Sequence, residues 1–168
     1  MRKAWPFGFY FLYFAALSSL VPYFVLFYQE VGLTGPQIGL INSVFPLVTL
    51  VAAPLWTGLA DAQRQHRLLM SAAIAGVVGL AVYISGITTL AAVLIALPVF
   101  AFFFAPIVAF SDTATMGMLA ESGEQQMYGR VRIGGTIGWA LFAPLIGALV
   151  QARGIRTTWW SYAAIMAV

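Results

Sequence analysis

Residues 68–111 read LLMSAAIAGVVGLAVYISGITTLAAVLIALPVFAFFFAPIVAFS, without a single charged side chain. A helix rises about 1.5 Å per residue and needs roughly 20 residues to cross about 30 Å of hydrocarbon, so this run is long enough for two crossings. The polar segment Ser85-Gly86-Ile87-Thr88-Thr89 divides the run in two. It therefore predicts two transmembrane helices, over about 68–84 and 90–118, with Asp112 inside the second.

The composition of the whole chain favours the same class of protein. Hydrophobic residues make up 62% of the 168 positions and charged residues 8%, whereas an ordinary soluble domain is about one quarter charged. The chain has no cysteine and one histidine, so we expect no disulfide, no metal site and no cofactor. The net charge of +3 is too small to indicate a nucleic-acid partner.

Four further apolar segments predict membrane helices on either side of this central pair. Residues 4–29 carry no charge, 37–60 end at Asp61, and 128–150 follow a short polar loop. The last segment, 157–168, is too short to cross a bilayer. We therefore expect an all-α membrane protein with five complete spans and an incomplete sixth.

The basic residues predict the orientation of these spans, because Lys and Arg accumulate in short cytoplasmic loops. With a cytoplasmic N-terminus, only Arg153 and Arg156 lie outside. The other six basic residues then lie inside, namely Arg2, Lys3, Arg64, Arg67, Arg130 and Arg132. We therefore expect a multi-pass protein of the cell (inner or plasma) membrane with its N-terminus in the cytoplasm.

Polar side chains inside the predicted helices are candidates for a binding site, because an ionisable group in a membrane usually marks a pathway. Asp112 and Arg132 lie at similar depth on consecutive antiparallel helices, where they either pair across a site or only fix helix packing. Asn42 is expected to be a buried amide that lines a cavity or bonds a neighbouring helix. Tyr13 and Tyr23 are ligand candidates because a tyrosine has a polar tip.

Two more features of the sequence bear on helix packing and on enzymatic activity. Gly134, Gly135 and Gly138 are spaced so that another helix backbone can approach closely, which indicates helix packing. The sequence contains no zinc-protease, phosphate-loop or serine-hydrolase motif, so we do not expect an enzyme.

Residues 128–141, YGRVRIGGTIGWAL, resemble the start of the fifth helix in the lactose permease, phenylpropionate and nucleoside proton symporters of the major facilitator superfamily. The resemblance implies the N-terminal six-helix bundle of a major facilitator fold. In that family the second arginine of the motif binds substrate and pairs with a carboxylate on helix four, and the aromatic residue stacks on the substrate. The matching positions are Arg132 and Trp139. An ungapped match places Ala114 at the carboxylate position, and Asp112 matches with a two-residue shift.

Residues 54–67, PLWTGLADAQRQHR, are similar to the signature loop between helices two and three of the same superfamily. Asp61, His66 and Arg67 occupy matching positions, whereas Arg64 replaces the glycine of the loop. The resemblance implies that these four residues form a gating loop.

The resemblance further implies secondary active transport of a small organic solute (a sugar, a nucleoside or an aromatic acid) by alternating access, with proton symport. The expected partners are the solute, protons, the lipid bilayer and a missing C-terminal half. Three alternatives stay open, which are an exporter of the same superfamily, a membrane-embedded enzyme and a scaffold fragment that does not transport.

Overall fold

The computed structural model describes residues 4–168, which form seven α-helices, two short 3-10 segments and no strand. Arg2 and Lys3, which contributed to the predicted orientation, lie outside the described residues. The α-helices are α1 (Ala4–Leu20), α2 (Phe24–Glu30), α3 (Gly35–Gln63), α4 (His66–Ser85), α5 (Leu90–Glu121), α6 (Tyr128–Arg153) and α7 (Thr157–Met166).

Five spans in the described range are long and apolar enough to cross a membrane. The first span, Trp5–Glu30, combines α1 and α2, and α3, α4, α5 and α6 supply the others. The 10 residues of α7 reach only about 15 Å along the helix axis. The prediction of an all-α membrane protein with five complete spans and a shorter sixth helix is therefore confirmed.

The first span is interrupted where the sequence had predicted one helix over 4–29. Val21–Tyr23 form a 3-10 turn between α1 and α2. Pro22 lacks a backbone N–H and its ring crowds the preceding turn, which accounts for the interruption. The prolines of the other spans lie inside continuous helices, namely Pro46, Pro54, Pro98, Pro106 and Pro144.

Polar residues of the connections begin the helices. Thr34 and Gln37 form a capping box at the start of α3, in which the Thr34 backbone N–H donates to Gln37 Oε1 at 2.8 Å. At the start of α5, the Ala92 backbone N–H donates to Thr89 Oγ1 at 3.4 Å. The Thr89 cap lies in the polar segment 85–89 from which the sequence predicted a helix boundary, and the Thr34 cap lies between the predicted spans 4–29 and 37–60.

The helices pack in two related groups. The first span contacts α6 and α7, and α5 contacts α3 and α4, while α4 also packs against α7. The first and fourth spans therefore occupy equivalent places in two sets of three helices, as in membrane folds built from internal repeats. Aromatic side chains fill the core between them, where the rings of Phe27 and Phe100 each meet Trp159 edge-on, at 5.4 and 5.6 Å.

Candidate functional site

Asp112 and Arg132 lie next to each other across the α5–α6 contact. Arg132 Nη1 is 3.7 Å from Asp112 Oδ2. The short connection between Glu121 and Tyr128 reverses the chain, so that the last third of α5 runs beside the first turns of α6. The two side chains are 31% and 42% exposed, which leaves the pair open on one side. The structure thus brings together the two ionisable residues that the sequence placed at similar depth.

Each member of this pair is held by a tyrosine. Tyr10 Oη, on α1, donates a hydrogen bond of 2.5 Å to Asp112 Oδ1. Arg132 Nη1 donates a hydrogen bond of 2.8 Å to Tyr128 Oη, one helical turn earlier on α6. The guanidinium carbon also lies 5.8 Å from the centre of the Tyr128 ring. The four residues therefore form one polar cluster that joins α1, α5 and α6.

The ion pair within this cluster is loose. Charge-assisted hydrogen bonds between nitrogen and oxygen are about 2.7–2.9 Å long, so a separation of 3.7 Å is an electrostatic contact without a hydrogen bond. Among the described residues, Nε and Nη2 of Arg132 make no hydrogen bond. The guanidinium therefore keeps donors that can bind another molecule.

Trp139 lies on the same edge of α6 as Arg132. Seven residues complete nearly two helical turns, so the two side chains share a face about 10 Å apart along the axis. Trp139 is partly buried, and no other ring of residues 4–168 stacks on it. Its indole is therefore a candidate stacking surface for a ligand beside the arginine.

The face of α6 that carries the three glycines packs directly on α1. A Cβ atom at Gly134 would lie 2.6 Å from the carbonyl oxygen of Phe7, and one at Gly138 would overlap the backbone of Phe11. At Gly135 a Cβ would lie 2.6 Å from the ring of Phe14. Larger residues would push the two helices apart. These contacts place Arg132 and Tyr10 at a fixed distance from one another across the cluster.

The other predicted ligand residues lie outside the cluster. The prediction that Asn42 is buried was wrong, because α3 turns Ile38, Ile41 and Ala52 inward and leaves Asn42 exposed. Tyr13 is buried, and its hydroxyl has no hydrogen-bond partner among the described residues. Tyr23 lies about 20 Å along the first span from Tyr10.

The α3–α4 turn contains the residues of the predicted gating loop. Asp61, in the last turn of α3, is 3.4 Å from Nε2 of His66, the first residue of α4, and both are exposed. Arg64 has a φ of 53°, a left-handed conformation that favours glycine. His66 and Arg67 line an open groove with a volume of about 670 Å³.

Ala114, the residue at the carboxylate position in the ungapped family match, also lines that groove. Two residues along a helix correspond to a rotation of about 200°, so Ala114 faces away from the side of α5 that carries Asp112. Asp112 is therefore the carboxylate that α5 presents to Arg132.

Tyr10 and Tyr128 were not selected from the sequence. Tyr128 had a usable signal, since it lies four residues before Arg132 and such residues are neighbours on a helix. Tyr10 had none, because the rotation of an apolar helix about its own axis does not follow from a uniformly apolar sequence.

Residues 6–168 match the model of the MFS_1 like family. A maltose permease of Geobacillus stearothermophilus is 35% identical over 84% of this chain and 36% of its own length. An uncharacterized transporter, YwbF, of Bacillus subtilis is 33% identical over 81% of the chain and 34% of its own length. The multidrug resistance protein MdtG of Yersinia enterocolitica is 26% identical over 93% of the chain and 38% of its own length. No solved structure matches.

Proposed function

The chain belongs to the MFS_1 like family, and we propose that it is the N-terminal half of a proton-coupled importer of a sugar or of another small hydroxylated or carboxylated solute. The major facilitator resemblance is confirmed by this match, and the relatives are transporters, not enzymes. The chain spans about a third of the length of these relatives. The activity of the whole protein is therefore part of the proposal.

The observation that carries the proposal is Arg132 placed beside Asp112 with free guanidinium donors. A guanidinium offers a rigid fork of N–H groups that binds paired hydroxyls or a carboxylate. The partly buried indole of Trp139 offers a flat face that can stack on a sugar ring or an aromatic ring. The name of the maltose permease relative supports a sugar as the first solute to test.

Solute transport is coupled to proton transport if the substrate and Asp112 compete for Arg132. Substrate that binds Arg132 separates the guanidinium from the carboxylate, which is already at 3.7 Å without a hydrogen bond. Asp112 is then the group on α5 that can receive the transported proton. Movement of α5 against α6 would link both events to alternating access, for which the second half of the transporter is required.

The deciding experiment compares Arg132→Lys with the parent in the full-length protein in nanodiscs, by titration with maltose, uridine and 3-phenylpropionate. We expect Arg132→Lys to weaken binding of the active ligand at least tenfold, or about 1.4 kcal/mol, because lysine keeps the charge and loses the fork. Arg130→Lys is the matched control, since Arg130 is exposed and, within residues 4–168, bonds only Met127 Sδ, at 3.6 Å. Equal affinity for Arg132→Lys and the parent would contradict the site.

The variant Asp112→Asn tests the role of Asp112 in proton coupling separately from ligand binding. We expect this variant to bind the ligand at least as tightly as the parent, because the competitor for Arg132 is gone. Accumulation driven by a proton gradient should be lost, while exchange of labelled for unlabelled ligand continues. Proton-driven accumulation at the parental rate would show that the proton binds elsewhere.

Export is the second candidate, favoured by the likeness to the multidrug resistance protein MdtG over 93% of the chain. The Asp112–Arg132 pair carries one charge of each sign, so the exporter alternative needs a test of its own. Loading of proteoliposomes with ethidium tests this alternative, since an exporter of such cations would release it when a proton gradient is imposed and an importer of sugars would not.

The proposed orientation places the α3–α4 turn and the α5–α6 connection in the cytoplasm. The chain has no cysteine, so single cysteines report their position without background from these 168 residues. An impermeant maleimide added to intact cells should label cysteines at Gly35 and Gly86, and should label Gln63 and Gln126 only after lysis. The reverse pattern would overturn the orientation.

A further inference from the structure

We propose that Tyr10 and Tyr128 hold the Asp112–Arg132 pair apart, so that the arginine stays available to substrate. This inference rests on the proposed function. It assigns the two tyrosines as positioning residues that set the affinity of the site, although neither of them needs to touch the transported solute.

The first observation is the unequal strength of the bonds at Asp112. Its Oδ1 accepts a 2.5 Å hydrogen bond from Tyr10, whereas its Oδ2 is 3.7 Å from the guanidinium. Tyr10 is 1% exposed and belongs to α1, which is held against α6 by backbone contact at Gly134 and Gly138. The carboxylate is therefore tied to a rigid neighbour through the oxygen that does not face Arg132 Nη1.

The second observation is the equivalent restraint on Arg132. Its Nη1 donates to Tyr128 Oη at 2.8 Å, and this nitrogen is the one nearest to Asp112. The ring of Tyr128 lies 5.8 Å from the guanidinium carbon, within the range of a cation–π contact. The tyrosine thus holds the guanidinium from the Tyr128 side and uses one of the two N–H groups of the nitrogen that faces the carboxylate.

The consequence for binding follows from competition. An arginine and a carboxylate that meet without restraint form two parallel hydrogen bonds, which is the strongest pairing available to either. A substrate would have to break both of these bonds. With each charge held by its own tyrosine, substrate displaces only an electrostatic contact, and the affinity for substrate is higher.

The experiment is a mutant cycle in the full-length protein, with binding of the active ligand among maltose, uridine and 3-phenylpropionate as the readout. We expect Tyr10→Phe to weaken binding about fivefold, because the freed carboxylate closes on Arg132. Tyr128→Phe should act in the same direction, since phenylalanine keeps the ring and loses the hydroxyl. Tyr162→Phe is the matched control, because its buried hydroxyl has no partner in the described part of the chain.

The double variant Tyr10→Phe/Asp112→Asn identifies the cause. If the loss of affinity comes from a tightened ion pair, removing the charge of Asp112 should restore binding to the level of Asp112→Asn alone. A loss that persists in the double variant would mean that Tyr10 only shapes the site, and this result overturns the inference. Unchanged or tighter binding by Tyr10→Phe, with a thermal unfolding midpoint equal to that of the parent, also overturns it.

The inference and the proposed function fail separately. If Arg132→Lys binds as the parent does, the site itself is wrong. If Arg132→Lys loses binding and Tyr10→Phe does not, the site stands and the role of the tyrosines is wrong.

Discussion

The two sides of α6 differ in what fixes them. On one side, Gly134 and Gly138 touch the backbone of α1, and no atom can be added there without moving a helix. On the other side, Arg132 lies 3.7 Å from Asp112 of α5, and the side chains of Arg132 and Trp139 are partly exposed. Contact between backbones fixes the position of the first side, and a few polar contacts fix the side chains of the second.

This difference shows how one helix can be rigid and adaptable at once. The α1 contact determines where α6 lies, so that the opposite edge can leave its charged group incompletely paired. An arginine with free donors is costly in a membrane, and it persists because the surrounding packing holds it in place. Variants on the two sides should therefore affect different measured quantities, with stability on the glycine side and binding on the arginine side.

The largest effect is expected at the glycine side. Gly138→Ala should lower the free energy of unfolding by about 3 kcal/mol, because the new Cβ overlaps the backbone of Phe11, which cannot rotate away. Gly129→Ala is the control on the same helix, since nothing lies within 4 Å of its Cβ position. Unfolding of the full-length protein in mixed micelles measures both. Equal stability of the two variants would show that α1 and α6 are not in backbone contact.

An intermediate effect, on ligand binding alone, is expected on the side of α6 that carries Arg132 and Trp139. Trp139→Ala should weaken binding of the active ligand about tenfold, close to 1.4 kcal/mol, because it removes the stacking surface beside Arg132. Trp139→Phe should retain most of the affinity. Trp160→Ala, at an exposed tryptophan of α7, should leave binding unchanged. A loss of stability larger than the loss of affinity at Trp139 would make this edge a packing surface instead.

The helices and their order could be predicted from the sequence because a bilayer imposes a length on each apolar run. The polar breaks at Thr34 and Thr89 contain the capping groups that begin α3 and α5. The 3-10 turn at Val21–Tyr23 could not be predicted, since a proline within a membrane helix is either accommodated or interrupts it, depending on neighbouring helices.

The site could be predicted in part. Asp112 and Arg132 stood out because charge is rare inside a membrane, and a short connection brings consecutive helices together. Tyr10 was overlooked because α1 is apolar on all sides, so the sequence carries no signal for which of its faces turns inward. Asn42 was misplaced although α3 has a more polar side. Asn42, Thr49 and Thr57 fall on that side by helical spacing, and α3 instead turns Ile38, Ile41 and Ala52 inward.

The smallest effect is expected at the α3–α4 turn, where the backbone favours glycine and the chain has arginine. At Arg64 the left-handed φ of 53° costs a residue with a Cβ about 1–2 kcal/mol, part of which glycine would lose again through its freedom in the unfolded chain. Arg64→Gly should therefore raise the free energy of unfolding by up to about 1 kcal/mol. Arg64→Ala keeps the backbone cost and removes the charge, so it should give no gain. If both variants were equally stabilising in mixed micelles, the cause would be repulsion among the basic residues of the turn, and the left-handed conformation would not be the source of the effect.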